Sequence, residues 1–160
     1  MKILTYPNPI LTQISKPVED FQDIDTFCDE MYELMLEHDG VGLSAVQVGV
    51  LKRIIVLDVI GRRDIINPEI RETTTKPFKF SEGCLSVPNY YEDRERPESI
   101  LLRYETPYKE VIVTWVSGLE AFCIQHEIDH LEGKLFIDDL SPLKKDRIRT
   151  KIEKTLKKHL

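Results

Sequence analysis

The sequence predicts a single α+β domain over residues 1–160: short, mainly antiparallel strands packed around a buried central helix that carries His-Glu-x-x-His, with further helices near the two ends. Three observations predict this. Apolar residues recur at helical spacing near both ends and again from Ser117, β-branched runs bounded by turn residues fill the middle, and no linker or internal repeat divides the chain. With 160 residues, 41% of them hydrophobic, the chain can form one core without covalent staples.

The first helix is expected over Ile24 to His38. Ile24, Phe27, Cys28, Met31, Leu34 and Met35 recur at three- and four-residue steps. Gly40 should end it by taking up a left-handed conformation. Arg53 to Val59 reads as a strand, and Asn67-Pro68 as a turn or edge position. Ser99 to Tyr104 and Glu110 to Val116 read as two more strands, joined by a hairpin loop at Glu105 to Lys109. Ser117 to Glu132 is the best-defined helix, with Ser117 and Glu120 spaced as a capping box and Gly133 closing it. A last helix should start at Ser141-Pro142, with Leu143, Ile148, Ile152 and Leu156 on one stripe.

Composition excludes several classes. No window approaches the roughly 18 apolar residues of a membrane span, and the N-terminus has no apolar signal region. Three cysteines are an odd number for a disulfide framework and are expected as reduced thiols, so a cytoplasmic protein is expected. The net charge of −6 argues against general nucleic-acid binding. That average hides an asymmetry. From Leu143 to Leu160 eight basic and two acidic residues give +6, which leaves −12 for the rest of the chain.

The chemistry concentrates in His126-Glu127-Ile128-Asp129-His130. One helical turn puts the two imidazoles on the same face, where they can share a metal ion, and Glu127 flanks that site. Two histidines and a carboxylate on an otherwise apolar helix would be costly without a partner. A catalytic site needs a third protein ligand and an open position. His159 lies in the tail, and Glu153 sits in a strongly basic helix expected to be exposed. Cys123 is two turns from His130, about 10 Å along the axis, and reads as core; Cys28, on the stripe of the first helix, does too. That leaves Cys84, in Glu82-Gly83-Cys84-Leu85-Ser86-Val87-Pro88, where a small buried thiol in a strand is the plainer reading.

Three segments resemble the signature motifs of the peptide deformylase family: Gly40-Val41-Gly42-Leu43-Ser44-Ala45-Val46-Gln47, Glu82-Gly83-Cys84-Leu85-Ser86, and Gln125-His126-Glu127-Ile128-Asp129-His130-Leu131. They stand in family order over a chain of family-like length. Ser44 replaces the usual Ala, a change between two small residues from which little consequence is expected. The first segment also fits a dinucleotide-binding fingerprint, but it follows a helix and precedes a strand, the reverse of what that fingerprint requires.

The resemblance implies that Cys84, His126 and His130 hold one divalent metal ion with water in the fourth position. Fe(II) is the family's usual ion, Zn(II) a frequent replacement, and Ni(II) or Co(II) also suits the donors. It implies hydrolysis of the N-formyl group of the initiator formyl-methionine of nascent peptides, with release of formate. Glu127 would be general acid/base on the metal-bound water, while the Gln47 side-chain amide and the Leu85 backbone N–H would hold the oxyanion. Val41, Gly42, Leu119, Phe122 and Cys123 would form the methionine pocket, although these helix positions would be apolar in any buried helix. Glu82 is expected to pair with Arg96 behind the ligands. Residues 89–96 are unusually charged for the family, and Tyr91 stands where some bacterial members have an Arg that touches the peptide, so peptide-binding strength is expected to differ.

Two other functions fit parts of the pattern: a metallopeptidase with a different third ligand, and a structural zinc module with no use for a base at Glu127. For the tail, a solvated basic face is the plain reading. The resemblance adds docking on the ribosome through Lys144, Lys145, Arg147, Arg149, Lys151 and Lys154. A monomer is expected.

Overall fold

A computed structural model describes residues 1–160. Helix α1 spans Ile24–Glu37, followed by strand β1 (Gly42–Ser44), a short 3-10 turn at Ala45–Val48, and strands β2 (Ile54–Asp58), β3 (Arg62–Thr73), β4 (Pro77–Cys84), β5 (Val87–Pro97), β6 (Ser99–Glu105) and β7 (Val111–Ser117). Helices α2 (Gly118–Leu131) and α3 (Pro142–Lys158) complete the chain. Five strands form an antiparallel sheet in the order β1-β2-β3-β6-β7, and β4 with β5 forms a separate two-stranded ribbon. Helix α2 lies between them and touches both. No helix is long and apolar enough to cross a membrane.

Three clusters of buried side chains hold these layers. The α1 stripe (Ile24, Cys28, Met31, Leu34, Met35) packs on Leu43, Ile54, Val56 and Ile66 of the sheet. The opposite sheet face packs Ile55, Leu57, Ile65, Ile100 and Leu102 against Ala121, Ile124 and Leu131 of α2. Burying one side chain of this size is worth roughly 1.5–3 kcal/mol, so each cluster outweighs any single polar contact nearby. The third cluster joins Val87 of β5 to Leu135, Phe136 and Ile137 and to Ile148 and Ile152 of α3.

Several local expectations are corrected. The left-handed residue after α1 is Asp39 (φ 55), not Gly40; Gly40 is held small because a Cβ there would lie 2.6 Å from Leu85 Cδ1. Asn67-Pro68 is neither a turn nor an edge. It forms a bulge within the twelve-residue β3, with Asn67 at φ 51. The Asn67 side chain explains the bulge: it donates to the Val18 carbonyl (2.9 Å) and accepts from the Val18 N–H (2.8 Å), clamping the N-terminal segment to the sheet.

The Ser117–Glu120 capping box does not form. The Ser117 hydroxyl pairs with that of Ser99 (2.8 Å) across β6–β7, and Glu120 pairs with Arg63 (2.9 Å). Tertiary partners outcompete the local cap. Ser141 does cap α3, accepting from the Lys144 N–H at 3.3 Å. On that helix only Ile148 and Ile152 are buried; Leu143 and Leu156 are 61% and 51% exposed. Of the ribbon β4–β5, only the strand setting of Cys84, which ends β4, was expected from the sequence.

Candidate active site

Three elements bring the site together. Helix α2 carries His126, Glu127 and His130, the end of β4 carries Cys84, and the turn after β1 carries Gln47. The β4–β5 pairing is regular up to Gly83 opposite Tyr91, then shifts so that Cys84 faces Val87. This irregularity turns Cys84 off the ribbon toward α2.

The Cys84 thiol lies 3.2 Å from His130 Nε2, and His130 Nε2 lies 3.1 Å from His126 Nε2. One ligand atom from each residue falls within a 4.8 Å set. The other nitrogen of His126, Nδ1, donates to the Glu82 carboxylate. That fixes the tautomer, leaves the Nε2 lone pair facing Cys84 and His130, and matches how metal-ligating imidazoles are oriented. Glu82 in turn accepts from Arg96 Nη2 at 2.8 Å, the expected pair, and Arg96 reaches on to Asp129 at 2.9 Å.

Electrostatics favour a cation at this point. Burial pushes the His130 pKa down, so this ring is neutral and able to ligate. At His126 burial also disfavours the charged ring, but Cys84 and the Glu82 and Glu127 carboxylates outweigh it and raise its pKa. Surroundings that draw a proton to His126 also draw a divalent ion. A soft thiolate with two imidazoles suits Fe(II), Zn(II), Co(II) or Ni(II) rather than Mg(II) or Ca(II). The residues fit a metal ion.

Glu127 is 4% exposed, with Oε1 3.9 Å from His126 Nε2. Burial raises its pKa, only partly opposed by nearby His126 and by a hydrogen bond from Ser44. Gly42 makes room for it, since a Cβ there would lie 2.7 Å from Oε1. Ser44, where a small-residue change was expected to matter little, places its hydroxyl 2.6 Å from Glu127 Oε2. Gln47 is buried behind Cys84, its Nε2 3.6 Å from the sulfur and 3.0 Å from the Ser86 hydroxyl.

A cleft of about 570 Å³ opens onto Cys84, His126 and Glu127, whereas His130 and Gln47 do not line it. Val41, Gly42, Leu85, Leu119, Phe122 and Cys123 all line it, and so do His126 and Glu127. Cys123 is thus a wall residue of the cleft; burial, reinforced by the Glu127 and Glu82 carboxylates, pushes its thiol up to about 12. Sequence reasoning missed Phe80, which lines the cleft and meets Phe122 edge-on at 5.6 Å between ring centroids. The alternation of Phe78, Phe80 and Glu82 was the available signal. Tyr91 is 67% exposed on the cleft rim, packed against the α-carbon of Gly83. Arg94 turns away from the cleft to pair with Asp139 (2.5 Å).

Three metal-capable donors, a buried carboxylate beside them and an apolar cleft above them form the constellation of a metal-dependent hydrolase. The polypeptide deformylase family profile matches residues 1–146. The chain is 46% identical over 163 residues to a peptide deformylase of Pseudomonas aeruginosa, covering 96% of this chain and 95% of that one. Its structure is similar to the crystal structures of peptide deformylase from Ehrlichia chaffeensis (TM-score 0.93, 37% identity, 99% of this chain and 98% of that one) and Legionella pneumophila (TM-score 0.91, 40% identity, 99% and 96%). The chain belongs to the polypeptide deformylase family, enzymes that remove the N-formyl group from nascent peptides.

Proposed function

We propose that this chain is a metal-dependent deformylase whose ion, Fe(II) in the cell or Zn(II), Ni(II) or Co(II) in its place, is held by Cys84, His126 and His130. The single observation that carries this reading is the convergence of those three donors within 4.8 Å, with Cys84 and His126 lining an apolar cleft beside Glu127. When bound, the ion supplies Lewis acidity, acidifying water and polarising the formyl carbonyl.

The chain's own residues do the rest. Val41, Gly42, Leu119, Phe122 and Cys123 bury the methionine side chain and exclude water from it. Glu127 takes a proton from the attacking water through Oε1, while the water oxygen bonds to the formyl carbon. Negative charge gathers on the formyl oxygen, where the Leu85 backbone N–H donates to it together with the Gln47 amide, whose weak 3.6 Å contact to the Cys84 sulfur is the one given up. One such donor contributes on the order of 3 kcal/mol to a transition state of this kind. The carbon–nitrogen bond then breaks as Glu127 returns the proton to the departing amine, leaving formate and a free N-terminal methionine. Glu82 and Arg96 hold His126 in register throughout. Tyr91 offers an aromatic surface, not a charge, to the peptide beyond methionine.

The test is direct. Anaerobically purified protein of known metal content should release one formate for each new amine from formyl-Met-Ala-Ser, and removing the ion should stop it. Failure of the metal-loaded protein to release formate overturns the reading.

The basic helix α3 carries a second proposal. Lys144, Arg147, Lys151 and Lys154 are exposed and free of carboxylate partners, whereas Lys145 turns to the Asp138 carbonyl and Arg149 to Asp146. With the exposed Leu143 and Leu156 they form a surface suited to ribosomal RNA phosphates, on a monomeric cytoplasmic enzyme. Because Ile148 and Ile152 belong to the core, deletion would disturb the fold. Replacing the four free basic residues with Glu is the cleaner test: ribosome co-sedimentation at low salt should be lost and formate release from a tripeptide kept. Unchanged co-sedimentation refutes the docking surface.

A further inference from the structure

Ser44 ends strand β1, paired with Ile55 of β2, and is completely buried. Helix α2 passes over it, so its short side chain meets the helix at Glu127. Its hydroxyl oxygen lies 2.6 Å from Glu127 Oε2 and 3.0 Å from the Glu127 carbonyl oxygen. No other group donates a hydrogen bond to the Glu127 carboxylate. The backbone N–H of the same residue donates to Gln47 Oε1 at 2.8 Å. An amide whose oxygen is held in this way must present its nitrogen elsewhere, and Gln47 Nε2 accordingly faces Ser86 and Cys84.

One residue of β1 therefore holds two groups that lie beside the metal donors, Glu127 and Gln47. At Glu127 the consequence is a choice between oxygens. Oε2 is tied back to the strand, and Oε1 turns to the ligand side, 3.9 Å from His126 Nε2, in the space that Gly42 leaves open. A glutamate side chain has three rotatable bonds, and a hydrogen bond to one carboxylate oxygen narrows the orientations open to the other.

We propose that Ser44 is a positioning residue for deformylation: its hydroxyl anchors Oε2 of Glu127 so that Oε1 is the oxygen that exchanges the proton. This rests on the proton-transfer role given to Glu127 above. The family's usual Ala at this position lacks the anchor, and the same resemblance makes Ser44→Ala a variant that folds. A merely structural hydroxyl would stabilise the fold and leave turnover alone; a positioning hydroxyl sets turnover as well.

The experiment compares wild type, Ser44→Ala, Glu127→Asp and the double variant, each loaded with one metal ion, on formyl-Met-Ala-Ser. Ser44→Ala should lower kcat by about tenfold, the size of one lost hydrogen bond to a charged group, and keep KM and metal stoichiometry. In the Glu127→Asp background the same change should cost less than about twofold, because the shorter carboxylate no longer reaches the anchor. Three results overturn the proposal: a Ser44→Ala kcat within about twofold of wild type, a lowered midpoint with unchanged kcat, or an undiminished loss in the Glu127→Asp background. A wild type that releases no formate removes the deformylase reading itself, and the positioning role with it. A wild type that releases formate beside an equally active Ser44→Ala removes the positioning role alone.

Discussion

His126 donates from Nδ1 to the buried carboxylate of Glu82, and the same carboxylate is held from behind by Arg96 at 2.8 Å. A chain of charge thus runs from the largely buried Arg96 of β5 to the imidazole that faces Cys84. Burial works against ionisation of Glu82, but the hydrogen bonds from His126 and Arg96 outweigh it and lower its pKa.

Removing that carboxylate should loosen the metal site more than the fold. Glu82→Ala is expected to weaken metal binding by roughly 10–100-fold, as losses behind a ligating histidine usually do. Competition against a chelator measures this directly. Affinity equal to wild type would mean that His126 needs no support.

A pH dependence follows from the same group. The folded-state pKa of Glu82 lies below its unfolded value, so its stabilising contribution is complete above the ordinary carboxylate range. It is lost as pH falls through the lowered folded value. Glu82→Gln should therefore show a shallower loss of stability on the acid side, read as a smaller slope of urea midpoint against pH. An unchanged slope would show that other carboxylates carry the acid transition.

The three cysteines should differ sharply in reactivity. Cys28 is fully buried and its thiol is pushed up to about 12 by that burial, with Asp64 adding to the effect. Cys123 is pushed equally far. At pH 8 such thiols are ionised to only about 1 part in 10⁴, and the thiolate is the nucleophile. Iodoacetamide on native, metal-stripped protein should label Cys84 alone, and metal should protect it. Mass spectrometry of the peptides decides the matter; labelling of Cys28 or Cys123 ahead of Cys84 would contradict the assignment.

Gly42 is small because Glu127 occupies the place of its side chain. A methyl group there would lie 2.7 Å from Oε1, so Gly42→Ala must displace the carboxylate. Displacements of this order cost as much as about a hundredfold in turnover. Formate release should fall steeply while metal content stays at one ion per chain. Full activity in Gly42→Ala would show that Glu127 need not sit where it does.

Much of this architecture was legible from local pattern. The α1 stripe and the α2 helix are periodic and mostly buried, the β6–β7 hairpin alternates along each strand, and such segments announce themselves. The His126–His130 pair could be read as a metal site from one helical turn, but Cys84, 42 residues before His126, could be joined to it only through family resemblance. What escaped was set by tertiary contacts. The β4–β5 ribbon has exposed residues along much of its length, so its charged alternation looks like a loop. Asn67 bends β3 because its side chain has Val18 to hold, a partner 49 residues away. Ser44 looked like a neutral exchange for Ala because nothing in the sequence shows that Glu127, 83 residues on, lies against it.

The role proposed for Glu127 is to move the proton beside an ion held by Cys84, His126 and His130. Glu127→Ala tests it most directly, with metal content and formate release measured on the same sample. The variant should keep one ion per chain, as in wild type, and turn over formyl-Met-Ala-Ser about 10²–10⁴-fold more slowly, the range of a lost general acid/base. Retention of the ion with turnover within about tenfold of wild type would contradict it.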